Sequence, residues 1–298
     1  MNPFSHPRRR FIRSTCGIVL AAAFSPRVFG ESAQIPGKKL FTAVGISGSL
    51  DQAAILKEAG AEFLTESVGS FLVPDQPDAV FEKNLAKLAT SPLPILACNS
   101  FIRPSNLHCI GPDANHGPIL DWSDTAFRRL KQTGGQFIVF GSGGARKLPD
   151  GWPQEKADAQ FVTLLKAMGN LAEKHAIIVV VEQLRAEECN FINRIERAAT
   201  LIRSAGHPHV RVLADLYHMR RMGDTPADLK AAMDVVVHVE VAEKETRSYP
   251  GISGDDFRPF FQILRESRYT GAISIEGKGE PNQVAPAFAE IARQAAEV

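Results

Sequence analysis

From Leu40 onward the apolar positions follow two alternating rhythms. Short apolar runs of strand length begin near Leu40, Ala61, Ile95, Gln136, Ala176, Val210, Val235 and Ala272. Amphipathic stretches lie between them: Leu50–Ala59, Ala79–Ala89, Asp121–Gln132, Glu155–Lys174, Phe191–Ser204, Pro226–Ala232 and Asp255–Arg268, with Pro281–Ala296 closing the chain. In Phe191–Ser204, Ile192, Ile195, Ala198, Ala199 and Ile202 recur at helical spacing and so share one face. Ile177–Val181 is an unbroken β-branched run, as expected of a strand covered on both faces. Asn190, Asp255 and Pro281 suit helix starts.

Strands alternating with helices imply parallel pairing through right-handed crossovers. Eight such repeats in about 260 residues match an α/β fold, a single closed (β/α)8 barrel of the TIM type. An open doubly wound sheet usually carries a Gly-rich phosphate turn after its first strand. Here that strand ends Gly45-Ile46-Ser47-Gly48, without GxGxxG spacing. Nothing after residue 40 reads as a linker, so 39–298 is expected to be one barrel domain.

Residues 1–30 differ in kind. They hold Arg8, Arg9, Arg10, Arg13 and Arg27, with no Lys, Asp or Glu. An apolar run from Cys16 to Phe24 follows, too short to span a bilayer but suited to a signal-peptide core. The block Arg8-Arg9-Arg10-Phe11-Ile12-Arg13 resembles a twin-arginine export signal, with 31–38 as a linker. The expected location is therefore the periplasm. The 298 residues carry 34 basic and 33 acidic side chains, and losing residues 1–30 would leave an acidic excess of four. That balance argues against a nucleic-acid partner, and no apolar stretch is long enough for a stable membrane span. Without Cys16, the remaining Cys98, Cys109 and Cys189 show no CxxC spacing, and an odd number cannot all pair within one chain.

Candidate chemistry gathers at the C-terminal strand ends, which face one mouth in such a barrel. Glu66 lies in Phe63-Leu64-Thr65-Glu66-Ser67, Glu182 follows Val181, Asp215 follows Ala214, Glu240 follows Val239 and Glu276 follows Ile275. Burying Glu182, Asp215, Glu240 and Glu276 together without a partner would cost several kcal/mol each. A divalent cation offsets that repulsion. Oxygen donors favour hard ions, manganese or magnesium first, with cobalt or zinc as alternatives. His218, three residues after Asp215, is placed to reach the same ligand from a strand end turning into a loop. Period-two alternation puts His238 and Glu240 on one side, inside the barrel. His108, His116, His175, His207 and His209 read as surface residues.

At these residues the chain resembles the xylose isomerase-like superfamily of sugar isomerases and epimerases, particularly its ketose 3-epimerase branch. The resemblance runs from about Lys39 to the C-terminus. It is carried by Val139-Phe140-Gly141-Ser142-Gly143-Gly144-Ala145-Arg146, by Glu182 with Asn190-Phe191-Ile192-Asn193, by Gly206-His207-Pro208 leading into Asp215-Leu216-Tyr217-His218-Met219, and by Ser274-Ile275-Glu276. The resemblance implies a divalent metal held by Glu182, Asp215 and Glu276. The family's strand seven reads His-x-His with the second His on the metal; here Glu240 stands in that place, beside His238. The resemblance further implies that Glu188 bonds a sugar hydroxyl, that His218 contacts the carbonyl end of the substrate, and that Arg247 holds a hydroxyl near the metal. Glu66 and His238 are added as substrate contacts from their strand positions.

The implied reaction removes a proton from a carbon next to a carbonyl of a ketose or keto-sugar, through an enediolate, with Glu182 and Glu276 as the proton-transfer pair. The implied partner is a small sugar, and barrels of this kind often form homo-oligomers. Two other outcomes stay open. Enolisation next to a keto group also permits β-elimination, as in a keto-glycoside lyase or hydrolase of the same superfamily. A degenerate site would leave a non-catalytic sugar-binding protein. A DNA-repair endonuclease on this barrel would need many strand-end histidines and a basic patch, and the chain offers His218 and His238.

Overall fold

The computed structural model describes residues 39–298. The expected export signal and linker lie outside the described residues. Eight strands close into a parallel barrel in sequence order: β1 Val44–Ser47, β2 Leu64–Ser67, β3 Ile95–Asn99, β4 Phe137–Phe140, β5 Ile178–Glu182, β6 Val210–Asp215, β7 Val236–Val241 and β8 Ile273–Ile275. Around it run α1 Ala53–Glu58, α2 Asp78–Ala89, α3 His116–Thr133, α4 Gln154–His175, α5 Ile195–Ala205, α6 Leu216–Met222, α7 Pro226–Ala232, α8 Arg258–Glu266 and α9 Val284–Ala296. Among the described residues no helix is long and apolar enough to cross a membrane.

The pleat explains how one sequence serves two environments. Alternate strand residues point out to the helices and in to the barrel axis. Outward residues such as Cys98, Ile138, Val179, Val181, Val212, Val239 and Val241 join the large core beneath the helices. Inward residues Ala97, Phe137, Val139, Val180 and Leu213 form a separate small cluster that plugs the barrel floor. A Cβ at Gly45 would meet the Phe63 ring at 2.4 Å, so that glycine lets the ring enter the plug. Above this floor the inward positions turn polar.

Several boundaries differ from the sequence reading. The β1 and β2 strands begin about three or four residues later than expected. α3 begins at His116 rather than Asp121, because the Asn115 side chain accepts a hydrogen bond from the Gly117 amide (3.2 Å) and caps it. Asn190 does not start a helix; it exchanges hydrogen bonds with both backbone groups of Leu148 (2.8 and 2.9 Å), tying two mouth loops together. Leu216-Tyr217-His218 is the first turn of α6, not a continued strand end. His108, His116, His175, His207 and His209 are half-buried rather than fully exposed. His209 Nδ1, for example, lies 2.7 Å from the Ile177 carbonyl.

Candidate active site

Parity places the acidic residues. Glu182 ends β5 two residues after the inward Val180, Asp215 ends β6 two after Leu213, and Glu240 stands two after His238. Glu276 follows β8 directly, and its amide still bonds the Val241 carbonyl (3.2 Å). Asp215 and Glu240 are register partners across β6 and β7. One carboxylate oxygen from each of Glu182, Asp215, Glu240 and Glu276 lies within 4.8 Å of the others.

The environment is nearly dry. Glu182, Asp215 and Glu240 are buried, Glu240 completely. Glu182 Oε1, Asp215 Oδ2 and both Glu240 oxygens have no hydrogen-bond partner among the described residues. Buried polar atoms are seldom left so, and an ion is one accepted reason. Burial, then the nearby Glu276, Glu182 and Asp215, push the Glu240 carboxyl well above its usual range. Burial and the facing Glu182 likewise raise Glu276, against the opposing pull of Arg247. Four carboxylates face one cation, Arg247, so a divalent ion fits the charge, and an all-oxygen donor set fits a hard ion.

His218 could be counted as a ligand too, since its ring nitrogen also lies within 4.8 Å of oxygens from Glu182 and Asp215. Its hydrogen bonding argues otherwise. The Arg185 amide donates to His218 Nδ1 at 3.1 Å. An Nδ1 that accepts leaves the proton of the neutral ring on Nε2, which then donates rather than ligates. That nitrogen points at the cluster, 3.4 Å from Glu182 Oε1 and 3.9 Å from Asp215 Oδ2. Burial alone would lower the His218 pKa, but Asp215 and Glu182 outweigh it and raise it. His218 is fixed in place because Asp215 caps α6, accepting the His218 amide at 2.9 Å. The three-residue spacing seen in the sequence is therefore a helix cap that also aims the imidazole.

Glu182 and Glu276 carry the cluster to the wall of a cavity of about 640 Å³, with Asp215 and Glu240 buried behind them. Glu182, Glu188, His218, Arg247 and Glu276 line it. Arg247 Nη2 donates to Glu276 Oε2 at 2.6 Å and Nη1 to Glu188 Oε1 at 3.2 Å. Its guanidinium lies 4.9 Å from the Tyr217 ring centre, a cation–π contact. Glu188 also accepts from Arg185 (2.7 Å).

Two expected substrate contacts are corrected. Glu66 sits between the inward Thr65 and Ser67 and so turns out of the barrel. Its oxygens accept the amides of Leu50 (2.7 Å) and Ser67 (2.8 Å). His238 is inside, but two residues before Glu240, about 5 Å deeper along the axis of a barrel with tilted strands. There it stacks on Phe137 (5.2 Å between ring centres) and is fully buried, away from the cavity wall. Burial pushes its pKa down to about 4, so the ring is neutral.

The sequence assigns no role to the other contributors, although Gly141 and Arg146 lie in a segment that carries the resemblance. Asn99 at the end of β3 donates to Glu276 Oε1 (2.9 Å) and fixes that carboxylate from the side opposite Arg247. Fully buried Arg146 donates to the Glu182 carbonyl (2.9 Å) and braces β5 from behind. Glu243 accepts from Ser248 Oγ (2.8 Å) and from the amides of Gly251 and Gly254 (both 2.9 Å). It gathers the loop that presents Arg247, a residue in the left-handed region at φ 54°. A Cβ at Gly141 would lie 2.3 Å from Glu182 Oε2, so only glycine leaves that carboxylate its place. Gly141→Ala should therefore displace Glu182 and weaken manganese binding at least about tenfold, since misplacements near 1 Å are expensive at such sites. Calorimetric titration of the variant checks this; unchanged affinity would show that Glu182 does not hold the ion from its present position.

Comparison with known proteins bears on the fold and the family. The 3-dehydro-D-guloside 4-epimerase of Escherichia coli is 29% identical over 125 residues, 42% of this chain and 47% of that protein. The hydroxypyruvate isomerase of the same species is 25% identical over 135 residues, 44% of this chain and 52% of that protein. The matched segments thus span about half the length of these curated relatives. Among solved structures, the apo 3-keto-D-glucoside 4-epimerase from E. coli superposes with a TM-score of 0.70 at 22% identity, covering 84% of this chain and 98% of that one. The family model described as the xylose isomerase-like TIM barrel matches residues 53–297, and the chain belongs to that family.

Proposed function

We propose that this protein is a divalent-metal-dependent isomerase or epimerase that moves a proton at a carbon next to the carbonyl of a keto-sugar. The observation that carries the reading is the cluster of four converging carboxylates, with partnerless buried oxygens on Glu182, Asp215 and Glu240, that meets an open cavity at Glu182 and Glu276. Glu182, Asp215, Glu240 and Glu276 would hold the ion. When bound, it supplies stabilisation of the negative charge that develops as the proton leaves, several kcal/mol in such sites. The protein's own groups do the rest. Glu276, with its raised pKa, stands at β8, and Glu182 stands at β5, so one can take the proton and the other return it. His218 donates from Nε2 to the substrate's carbonyl end, and Arg247 and Glu188 bond its hydroxyls. The relatives named above are isomerases and epimerases of small hydroxy-carbonyl compounds and sugars, which supports the reaction type.

The test is an exchange experiment. Manganese-loaded protein incubated with a panel of ketoses and keto-sugars in D2O should place deuterium at the carbon next to the carbonyl of one of them, together with an isomer or epimer. Absence of exchange and product across the panel, with the metal bound, would contradict the reading.

A further inference from the structure

The groups assigned to the sugar come from separate loops, the turn 185–189 after β5 and the loop after β7 that carries Arg247. A single ring fixes them relative to one another. Tyr217, in the first turn of α6, is buried and does not line the cavity. The Arg247 guanidinium lies 4.9 Å from its ring centre and that of Arg185 5.6 Å. The His218 imidazole meets the same ring edge-on, with 5.0 Å between centres. The two guanidiniums also share one acceptor, Glu188 Oε1, which is 2.7 Å from Arg185 Nε and 3.2 Å from Arg247 Nη1. That leaves Glu188 Oε2 for a hydroxyl, and it stands 3.9 Å from His218 Nε2. Two like charges on one carboxylate oxygen repel, and the negative face of an aromatic ring beside both offsets that repulsion.

The turn is seated on the same helix by its backbone. The Arg185 amide donates to His218 Nδ1 (3.1 Å) and the Ala186 amide to Met222 Sδ (3.3 Å). The Glu188 and Cys189 amides both close onto the Arg185 carbonyl (3.0 and 3.2 Å). α6 is in turn tied to the carboxylate cluster through the Asp215 cap. We propose that Tyr217 is a positioning residue for sugar binding, with Arg185 as its partner: together they hold Arg247, Glu188 and His218 in place before the substrate arrives, so that binding does not have to order them. This rests on the reading of those three groups as hydroxyl and carbonyl contacts. Tyr217 acts through them and touches no reacting atom.

The experiment uses the manganese-loaded full chain and the sugar of the D2O panel that exchanges. Tyr217→Leu keeps apolar bulk but removes the π-face. KM should rise at least about tenfold while kcat falls less than about threefold, because uniform binding is what is lost and Glu276 keeps its bond from Asn99. Tyr217→Phe keeps the ring and should bring KM back to within about threefold of wild type. In an Arg247→Gln background, Tyr217→Leu should raise KM by less than about threefold, because the main group it positions is gone. Arg185→Met, at a half-buried position, carries the test if Tyr217→Leu does not fold, and should raise KM at least about threefold. An unchanged KM in either folded variant, a Phe variant as impaired as the Leu one, or full additivity with Arg247→Gln would overturn the role of Tyr217, while exchange by the wild type upholds the keto-sugar reading. A wild type that exchanges no sugar of the panel would overturn both.

Discussion

Glu276→Gln should lower turnover at least about 100-fold while leaving the barrel folded. The side chain keeps its shape, but it loses the lone-pair basicity that a proton-transfer group requires. It also loses its fit. Oε1 accepts from Asn99 and Oε2 from Arg247, and an amide can present an oxygen to one of them while its NH2 meets the other donor. The carboxylate's charge next to the ion is lost as well, so two causes act together. Measuring manganese affinity alongside kcat separates them: with the metal saturating, a remaining deficit in kcat belongs to proton transfer. A wild-type rate at saturating metal would remove Glu276 from the mechanism.

Removing the divalent metal should have the larger effect. Turnover should vanish with chelation and return on adding manganese or magnesium. Stability should fall as well, because the ion binds the folded chain and not the unfolded one. At a hundredfold excess over Kd the linkage is about 2.7 kcal/mol, or about 5–10 °C in Tm for a chain of this size. In the metal-free site burial and the neighbouring carboxylates push the Glu240 carboxyl well above its usual range, which favours its protonated form. Binding the ion should therefore release protons, and affinity should fall as the pH is lowered. Scanning calorimetry with and without metal, repeated in buffers of different ionisation enthalpy, measures both. A Tm indifferent to metal, with no proton release, would contradict the account.

The strand–helix alternation was legible because both periodicities were strong: Ile177–Val181 could be little other than a buried strand, and the carboxylate after it falls at the mouth. Glu182, Asp215, Glu240 and Glu276 could be found the same way, since a charge after an apolar strand residue is conspicuous. Parity and depth were harder. Glu66 has the same neighbours as a mouth residue but the opposite phase of the pleat, since Phe63 and Thr65 point into the barrel. His238 has the right phase but lies one layer too deep, and an imidazole stacked on Phe137 cannot be told in sequence from one at a cavity wall. Asp215 and His218 come close for a reason the sequence did not reveal, a cap on the short helix α6 that starts without any loop. Asn99 and Gly141 act on carboxylates brought in from other strands, and Glu243 acts by gathering its own following loop, roles that a residue type alone does not announce.

Crystals of the metal-stripped protein, soaked in manganese and measured by anomalous diffraction, should show one strong peak per chain, within about 2.5 Å of oxygens from Glu182, Asp215, Glu240 and Glu276, with His218 turned toward it but not bonded. No peak at that position, or a peak held by His218 in place of Glu240, would contradict the four-carboxylate site.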